Sequence, residues 1–309
     1  MVKQYKSRVV DNLLKRKLEG IGAVLIEGPK LCGKTTTAEQ FSKSILYVAN
    51  PQERQQNLKM AEIDPSVLLK GEIPRLLDEW QIAPMLWDAV RFEVDHRGVP
   101  GQFILTGSAL PAEKDKIFHT GTGRIARLKM RTMALYESGE SNGDISLKQL
   151  FEGEKNLSGV NELTLEEIAY LVCRGGWPTA CLQEGDIALD RAFDYYDAIV
   201  NEDITRADGV NRSSERAKLL MRSYARSQGA QTSTDAIRKD MVANDTNSID
   251  TKTVQSYIDA LKQIFVIEDM PAWNPNLRSK TAIRTSNTRY YMDPSIGTAA
   301  LGIGQQDLI

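Results

Sequence analysis

The stretch from Gly28 to Thr35, which reads GPKLCGKT, constrains the fold of this chain more than any other segment. Its glycines, followed by Lys34 and Thr35, match the phosphate-loop pattern G-x-x-x-x-G-K-[ST] without a mismatch. In such a loop, successive backbone N–H groups point at phosphate oxygens, and the helix that follows directs its positive end at the same anion. We therefore predict a nucleotide-binding site here, in preference to a plain glycine-rich turn.

The flanking sequence supports this interpretation. Residues 21–26 read IGAVLI, an apolar, β-rich run that is typical of a buried parallel strand. A helix is predicted to begin near Thr35, and a second apolar run spans residues 45–48. Strand, loop, helix and strand in this order form a βαβ unit. The predicted fold class is α/β, with a P-loop NTPase core built on a parallel sheet.

Each part of the loop has an expected role. Lys34 would contact the β- and γ-phosphates, and the hydroxyl of Thr35 would ligate Mg²⁺. Cys32 is interpreted as a small side chain that fills a tight turn, because a reactive thiol needs a specific electropositive setting. The predicted nucleotide-binding residues of the loop are Gly28, Pro29, Lys30, Leu31, Cys32, Gly33, Lys34, Thr35 and Thr36.

An acidic pair follows the next apolar run. The segment IPRLLDEW places Asp78 at the predicted carboxyl end of a strand, with Glu79 directly after it. Asp78 would hold a magnesium-bound water, and Glu79 would polarise the water that attacks the terminal phosphate. The alternative is a strand-to-helix turn in which Asp78 caps the following helix. The phosphate loop favours the catalytic interpretation.

Two further segments carry candidate site residues. The strand-like run GQFILTGS ends in hydroxyl groups, so Thr106 or Ser108 would sense the γ-phosphate or the attacking water, or would be turn residues. The segment GTGRIARLKM contains Arg124, which would stabilise the transferring phosphoryl group from the same chain or from a neighbouring subunit. A solvated basic strand edge explains that segment equally well.

Taken together, GPKLCGKTT, RLLDEWQ, FILTGSA and GTGRIARLKM resemble the AAA+-type ATPases. They resemble in particular a poorly characterised family of bacterial and archaeal predicted ATPases. YLVCRGGWPTACL and RYYMDPSIGTAAL are similar to two later elements of that family. The resemblance implies ATP and Mg²⁺ as cofactors, catalytic roles for Glu79, Lys34 and Arg124, and metal contacts through Thr35 and Asp78. Members of the family continue into a nuclease-like module, so this chain is expected to be a fragment or a truncated product.

The second half of the sequence has helix-like instead of strand-like apolar patterns. Amphipathic helices are predicted over residues 146–152, 164–172 and 186–203, and the Gly-Gly-Trp-Pro element at residues 175–178 is interpreted as a structural turn with a buried Trp. Helices over 213–227, 234–241 and 250–264, followed by a strand, predict a winged helix. The expected domains are an AAA+-like core (1–140), a lid-like helical segment (141–206), the winged helix (207–292) and the start of a truncated module (293–309).

Residues 270–292 contain basic side chains and no acid, which would suit a wing that contacts DNA phosphates. DNA contact is therefore a candidate role for residues 252–289, although Asp259 argues against base reading. Docking on a protein client or on a second copy of the chain is the alternative. The basic residues are Arg278, Lys280, Arg284 and Arg289.

Composition excludes several other classes. The net charge of −2 gives no general affinity for nucleic acid, and three cysteines with two histidines make a zinc site or a disulfide framework improbable. The sequence shows no signal peptide and no long apolar run, so we expect a cytoplasmic protein without membrane contact. The predicted function is an ATP-hydrolysing, nucleotide-driven switch. The alternatives are a DNA-binding winged-helix protein with a regulatory or inactive ATP site and, less favoured, a small-molecule kinase.

Overall fold

The first half of the chain forms a parallel β-sheet with helices on both faces. The computed structural model describes residues 5–108, 117–242, 249–273 and 287–309. The sheet has five strands in the order β2-β3-β4-β1-β5, and every neighbouring pair is parallel. The strands are β1 (Ala23–Glu27), β2 (Ser44–Tyr47), β3 (Arg75–Asp78), β4 (Phe103–Gly107) and β5 (Ile125–Lys129). The predicted α/β fold class is confirmed.

Alternate residues of the central strands pack into different cores. Val24 and Ile26 of β1 face the helices α1 (Val9–Gly20) and α2 (Lys34–Phe41). Ala23 and Leu25 face the cluster that contains α4 (Met85–Arg97). Burial on both faces explains why β1 and β4 read as continuous apolar runs. The sequence analysis did not predict α1 and α3. The helices around the sheet are α1 (Val9–Gly20), α2 (Lys34–Phe41), α3 (Arg54–Ile63) and α4 (Met85–Arg97).

The sheet register brings the predicted site segments to one edge. Glu27 at the end of β1 is paired with Gly107 at the end of β4, and Asp78 at the end of β3 is paired with Thr106. Because all of these strands are parallel, their carboxyl ends meet at the same edge of the sheet. The phosphate loop, the acidic pair and the β4 tip therefore lie side by side.

The second half is helical, as predicted. Helix α8 (Gly185–Ala198) continues into a π-helical turn over Ile199–Asp203. One hydrophobic cluster extends from Trp177 to Ala300, and two antiparallel bridges join Ile267 to Tyr291 and Met270 to Thr288. The helices are α5 (Leu135–Ser138), α6 (Leu147–Phe151), α7 (Leu165–Arg174), α8 (Gly185–Ala198), α9 (Ile204–Arg206), α10 (Ser214–Arg226), α11 (Thr234–Met241), α12 (Thr251–Gln263) and α13 (Pro294–Leu301).

Candidate nucleotide-binding site

The loop between β1 and α2 depends on its two glycines for different reasons. A Cβ on Gly28 would lie 2.1 Å from the carbonyl oxygen of Met130, so the backbone needs the space. Gly33 precedes α2 with a φ of 98°, which only glycine adopts at little cost. Leu31 also has a positive φ, of 63°. The loop thus has the tightly curled backbone that the sequence pattern predicts.

Lys34 occupies the centre of this loop. Its side chain is buried, and its Nζ donates hydrogen bonds to the carbonyl oxygens of Gly28 at 3.0 Å and Pro29 at 2.6 Å. Burial lowers the pKa of Lys34, and the neighbouring positive charge of Lys30 acts in the same direction. A phosphate group that entered the loop would give this ammonium a charged partner in place of two carbonyls.

Asp78 connects the phosphate loop to the neighbouring strands. Its Oδ1 accepts hydrogen bonds from the Thr35 hydroxyl at 2.6 Å and from the Thr106 hydroxyl at 2.7 Å. Glu79, and not Asp78, precedes the 3₁₀ turn at Trp80–Ile82. These contacts favour a site residue over a helix cap. A hydroxyl and a carboxylate are the oxygen ligands that Mg²⁺ prefers, so the donor set fits that ion.

Glu79 lies beside Asp78 in a left-handed backbone conformation, with a φ of 58°. Its N–H donates to the Thr106 hydroxyl at 3.3 Å, and its carboxylate accepts a hydrogen bond from the Gln81 side chain. Burial raises the pKa of Glu79, whereas the Gln81 contact and the charges of Lys34 and Lys30 oppose the rise. Sequence reasoning missed Gln81, since its role depends on how the turn folds.

Thr106 and Ser108, the two hydroxyl residues at the end of β4, have different surroundings. Thr106 is fully buried in the Asp78 network, whereas Ser108 faces a cavity next to the phosphate loop. Either position is compatible with sensing a phosphate, directly for Ser108 and through Asp78 for Thr106. A sensing role for Thr106 or for Ser108 stays a prediction.

Arg124 does not lie at the site. It precedes β5 at the amino edge of the sheet, where its guanidinium pairs with Asp95 at 2.7 Å and is half exposed. The length of β5, roughly 16 Å at about 3.3 Å per residue, separates it from the loop. The prediction that Arg124 acts on the phosphate of its own chain is therefore wrong. Action on a neighbouring subunit stays a prediction.

A cavity of about 580 Å³ opens beside the loop. Its walls come from four parts of the chain: the phosphate loop with the β3 and β4 ends, the N-terminal segment, Met133 in the segment after β5, and the Gly-Gly-Trp-Pro element with the turn after it. Trp177 of that element is buried, as predicted. The loop and strand residues that line the cavity are Lys30, Leu31, Gly33, Lys34, Thr35, Thr36, Glu79 and Ser108, and the other walls include Tyr5, Lys6, Arg8, Pro178, Thr179 and Leu182.

The N-terminal wall was missed by sequence reasoning. Arg8 donates to the carbonyl oxygens of Cys32 at 2.9 Å and Arg131 at 2.8 Å, and its Nε pairs with Glu137 at 3.1 Å. It thereby ties the loop to the segment after β5. No local pattern could have identified it, because its partners lie far along the chain. Cys32 itself is fully buried, and burial raises the pKa of its thiol, which suits a space-filling role.

The predicted wing is only partly described. Arg278, Lys280 and Arg284 lie outside the described residues. Arg289 is described, and its guanidinium pairs with Asp269 at 2.7 Å and donates to the carbonyl oxygen of Thr232 at 2.9 Å. The side chain is thus held by partners within the second half of the chain, and its contact with DNA phosphate stays a prediction. Within the described ranges, no helix combines the length and apolar character needed to cross a bilayer.

Comparison with known families agrees with the site geometry. Residues 21–138 match the family model described as an AAA domain. The matched residues hold the five-stranded sheet, the phosphate loop and the acidic pair, so this half of the chain is similar to AAA domains. Residues 165–307 match a second model, described as a domain of unknown function (DUF8612).

Two curated relatives are similar to part of the chain. The uncharacterized proteins Rv2008c of Mycobacterium tuberculosis and Mb2031c of Mycobacterium bovis are each 28% identical over 132 residues. The alignment covers 42% of this chain and 30% of each relative, so the chain spans less than a third of their length.

One solved structure supports the fold. The Walker-type ATPase PABY2304 of Pyrococcus abyssi aligns with a TM-score of 0.52 at 15% identity, covering 97% of both chains. The Aeropyrum pernix ORC1 protein in complex with DNA aligns at a TM-score of 0.29 and 12% identity, covering 97% of this chain and 94% of that one.

Proposed function

We propose that this chain binds Mg·ATP at the phosphate loop and hydrolyses it to ADP and phosphate. One observation carries the proposal: Lys34, Thr35 and Glu79 line the same cavity, and Asp78 is hydrogen-bonded to Thr35 at its edge. A phosphate-binding cation, a pair of metal ligands and a candidate for orienting water are the parts that phosphoryl transfer to water requires.

The roles follow from the contacts. Lys34 would exchange the carbonyl oxygens of Gly28 and Pro29 for phosphate oxygens. Thr35 and Asp78 would hold Mg²⁺, which neutralises charge on the phosphates when it is bound. Glu79 would orient the attacking water, because its carboxylate lines the cavity and burial makes it a stronger proton acceptor.

We propose further that the nucleotide acts as a switch on the second half of the chain. Pro178, Thr179 and Leu182 belong to the second half and line the cavity. The backbone N–H of Met133, which follows β5, donates to the carbonyl oxygen of Gly176 at 2.7 Å. A ligand that contacts both halves favours the arrangement in which those contacts are best, and it thereby shifts the population toward it.

Steady-state phosphate release by the full chain, with and without duplex DNA, tests this function. We expect release that requires Mg²⁺, that does not depend on DNA and that disappears in Lys34→Ala. Release that depends entirely on DNA would favour the DNA-binding alternative with a regulatory ATP site. The absence of release under either condition would refute hydrolysis.

We also propose that residues 207–292 form a winged helix that docks on the ATPase core instead of DNA. Glu268, which lies between the bridged residues Ile267 and Met270, pairs with Lys129 at 2.9 Å and with Arg131 at 2.6 Å. These contacts join the segment to the edge strand β5. A fluorescence-anisotropy salt titration of the full chain tests the choice. Salt-dependent duplex affinity would favour DNA contact, and no affinity at low salt is the expected result.

A further inference from the structure

An ion pair joins the phosphate loop to the helical segment. The Nζ of Lys30 lies 2.5 Å from Oδ1 of Asp203. The Asp203 side chain is only 9% exposed, whereas that of Lys30 is 47% exposed and lines the cavity. The two residues stand 173 positions apart. The contact therefore exists only when the second half is seated against the loop.

The charge of Lys30 acts on the candidate catalytic groups. It contributes to the lowered pKa of Lys34, after burial, and it opposes the rise that burial causes in the pKa of Glu79. The ammonium that Asp203 holds is thus electrostatically part of the site. Any change in its partner alters the field at both residues.

A bound nucleotide would compete with Asp203 for this ammonium. A triphosphate carries several negative charges and would lie in the cavity that Lys30 lines. Phosphate oxygens form strong charge-assisted hydrogen bonds with an ammonium group. The nearly buried carboxylate of Asp203 would then share the Lys30 ammonium with a like-charged ligand, and a buried carboxylate that loses its partner is destabilised.

Asp203 lies in a segment that is suited to rearrangement. It ends the π-helical turn Ile199–Asp203, and such turns are rare in proteins and frequent at functional sites. Ile199, Val200 and Ile204 around it are fully buried in the hydrophobic cluster of the second half. A shift of this turn would therefore be transmitted into that cluster.

We propose that Asp203 is a positioning residue of the nucleotide site, which acts through Lys30 by competing with the nucleotide phosphates for its ammonium. This inference rests on the proposed nucleotide binding. Phosphate binding draws Lys30 away from Asp203 and loosens the contact between the loop and the π-helical turn. Occupancy of the cavity is thereby reported to the second half of the chain.

A double-mutant cycle on the full chain tests the competition. Calorimetric titration with Mg·ATP is carried out on the wild type, Asp203→Asn, Lys30→Met and the double variant. Asp203→Asn is expected to tighten binding about threefold, a size typical of a partly exposed pair, and Lys30→Met is expected to weaken it. In the Lys30→Met background the Asn substitution should have no effect. Glu202→Gln is the matched control, since Glu202 pairs with Arg206 at the surface.

Equal effects of Asp203→Asn in both backgrounds, or weaker Mg·ATP binding by Asp203→Asn than by the wild type, would overturn the inference by making Asp203 merely structural. Hydrogen exchange gives a second test that needs only the wild type. Mg·ATP should accelerate exchange in residues 199–206, and unchanged or slower exchange overturns the inference even where the variants fail to fold. Failure of the wild type to bind Mg·ATP would instead refute the proposed function on which the inference rests.

Discussion

The hydroxyl of Thr35 donates a 2.6 Å hydrogen bond to Asp78, across 43 residues of sequence. Thr35 lies in the first turn of α2, directly after the phosphate loop, and Asp78 ends β3. The contact depends on the sheet, since β3 reaches the loop only because β4 lies between it and β1. The two oxygen atoms are therefore the structural link between the phosphate loop and the acidic pair.

Asp78→Asn is expected to weaken the magnesium dependence of ATP binding. Loss of the negative charge removes one anionic ligand, so the gain in affinity that Mg²⁺ gives should shrink by about tenfold, or about 1.4 kcal/mol. Calorimetric titrations with and without Mg²⁺ measure this gain. Asp190→Asn, at an exposed position of α8, is the control. An undiminished magnesium effect in Asp78→Asn would exclude Asp78 as a metal ligand.

Glu79→Gln should retain ATP binding but slow turnover by about 10²- to 10⁴-fold, because the amide is nearly isosteric and a poor proton acceptor. Steady-state phosphate release measures turnover, and calorimetry confirms binding. Glu72→Gln, at an exposed position before β3, should behave like the wild type. Turnover at the wild-type rate in Glu79→Gln would make Glu79 a turn residue without a catalytic role.

The sequence predicted the local parts of the site better than its distant contacts. The phosphate loop and the end of β3 are read from short patterns, because a buried parallel strand and a loop–helix junction each leave a local signature. Arg124 was misplaced, since the motif does not show at which end of β5 the basic residue falls. Arg8 and Asp203 act on the loop from distant segments, so only the folded chain reveals them.

Gly176→Ala should lower the midpoint of thermal unfolding and weaken ATP binding. A Cβ at this position would lie 2.0 Å from the carbonyl oxygen of Met133, so the two backbones must separate. Such overpacking costs about 1–3 kcal/mol. Thermal unfolding followed by circular dichroism checks the effect, with Gly20→Ala as the control because its Cβ meets nothing within 4 Å. A midpoint equal to that of the wild type would contradict the close approach.

We expect Asp269 to contribute to the stability of the fold and to lose that contribution in acid. Burial tends to raise the pKa of Asp269, but hydrogen bonds from Lys262 and Tyr224 outweigh it and hold the pKa below its ordinary value of 3.8. A carboxyl with a depressed pKa stabilises the fold above its unfolded pKa and loses that contribution as the pH falls through the folded value.

Asp269→Asn should therefore lower the unfolding midpoint at pH 7 by several degrees and reduce the further loss on acidification below about pH 4. Thermal unfolding across this pH range compares the variant with the wild type, and Asp190→Asn controls for a change in net charge. If the unfolding midpoints of Asp269→Asn and the wild type fall in parallel as the pH is lowered, the ion pairs of Asp269 do not govern the loss of stability in acid.

The most direct test of the account is calorimetric titration of Mg·ATP into the wild type and Lys34→Ala. Lys34 directs its ammonium into the loop, so its removal takes away the charge that faces the phosphates. We expect clear binding to the wild type, unchanged binding to the exposed control Lys15→Ala, and loss of binding in a Lys34→Ala protein whose circular dichroism is native. Equal affinity of Lys34→Ala and the wild type for Mg·ATP would contradict the phosphate-loop assignment.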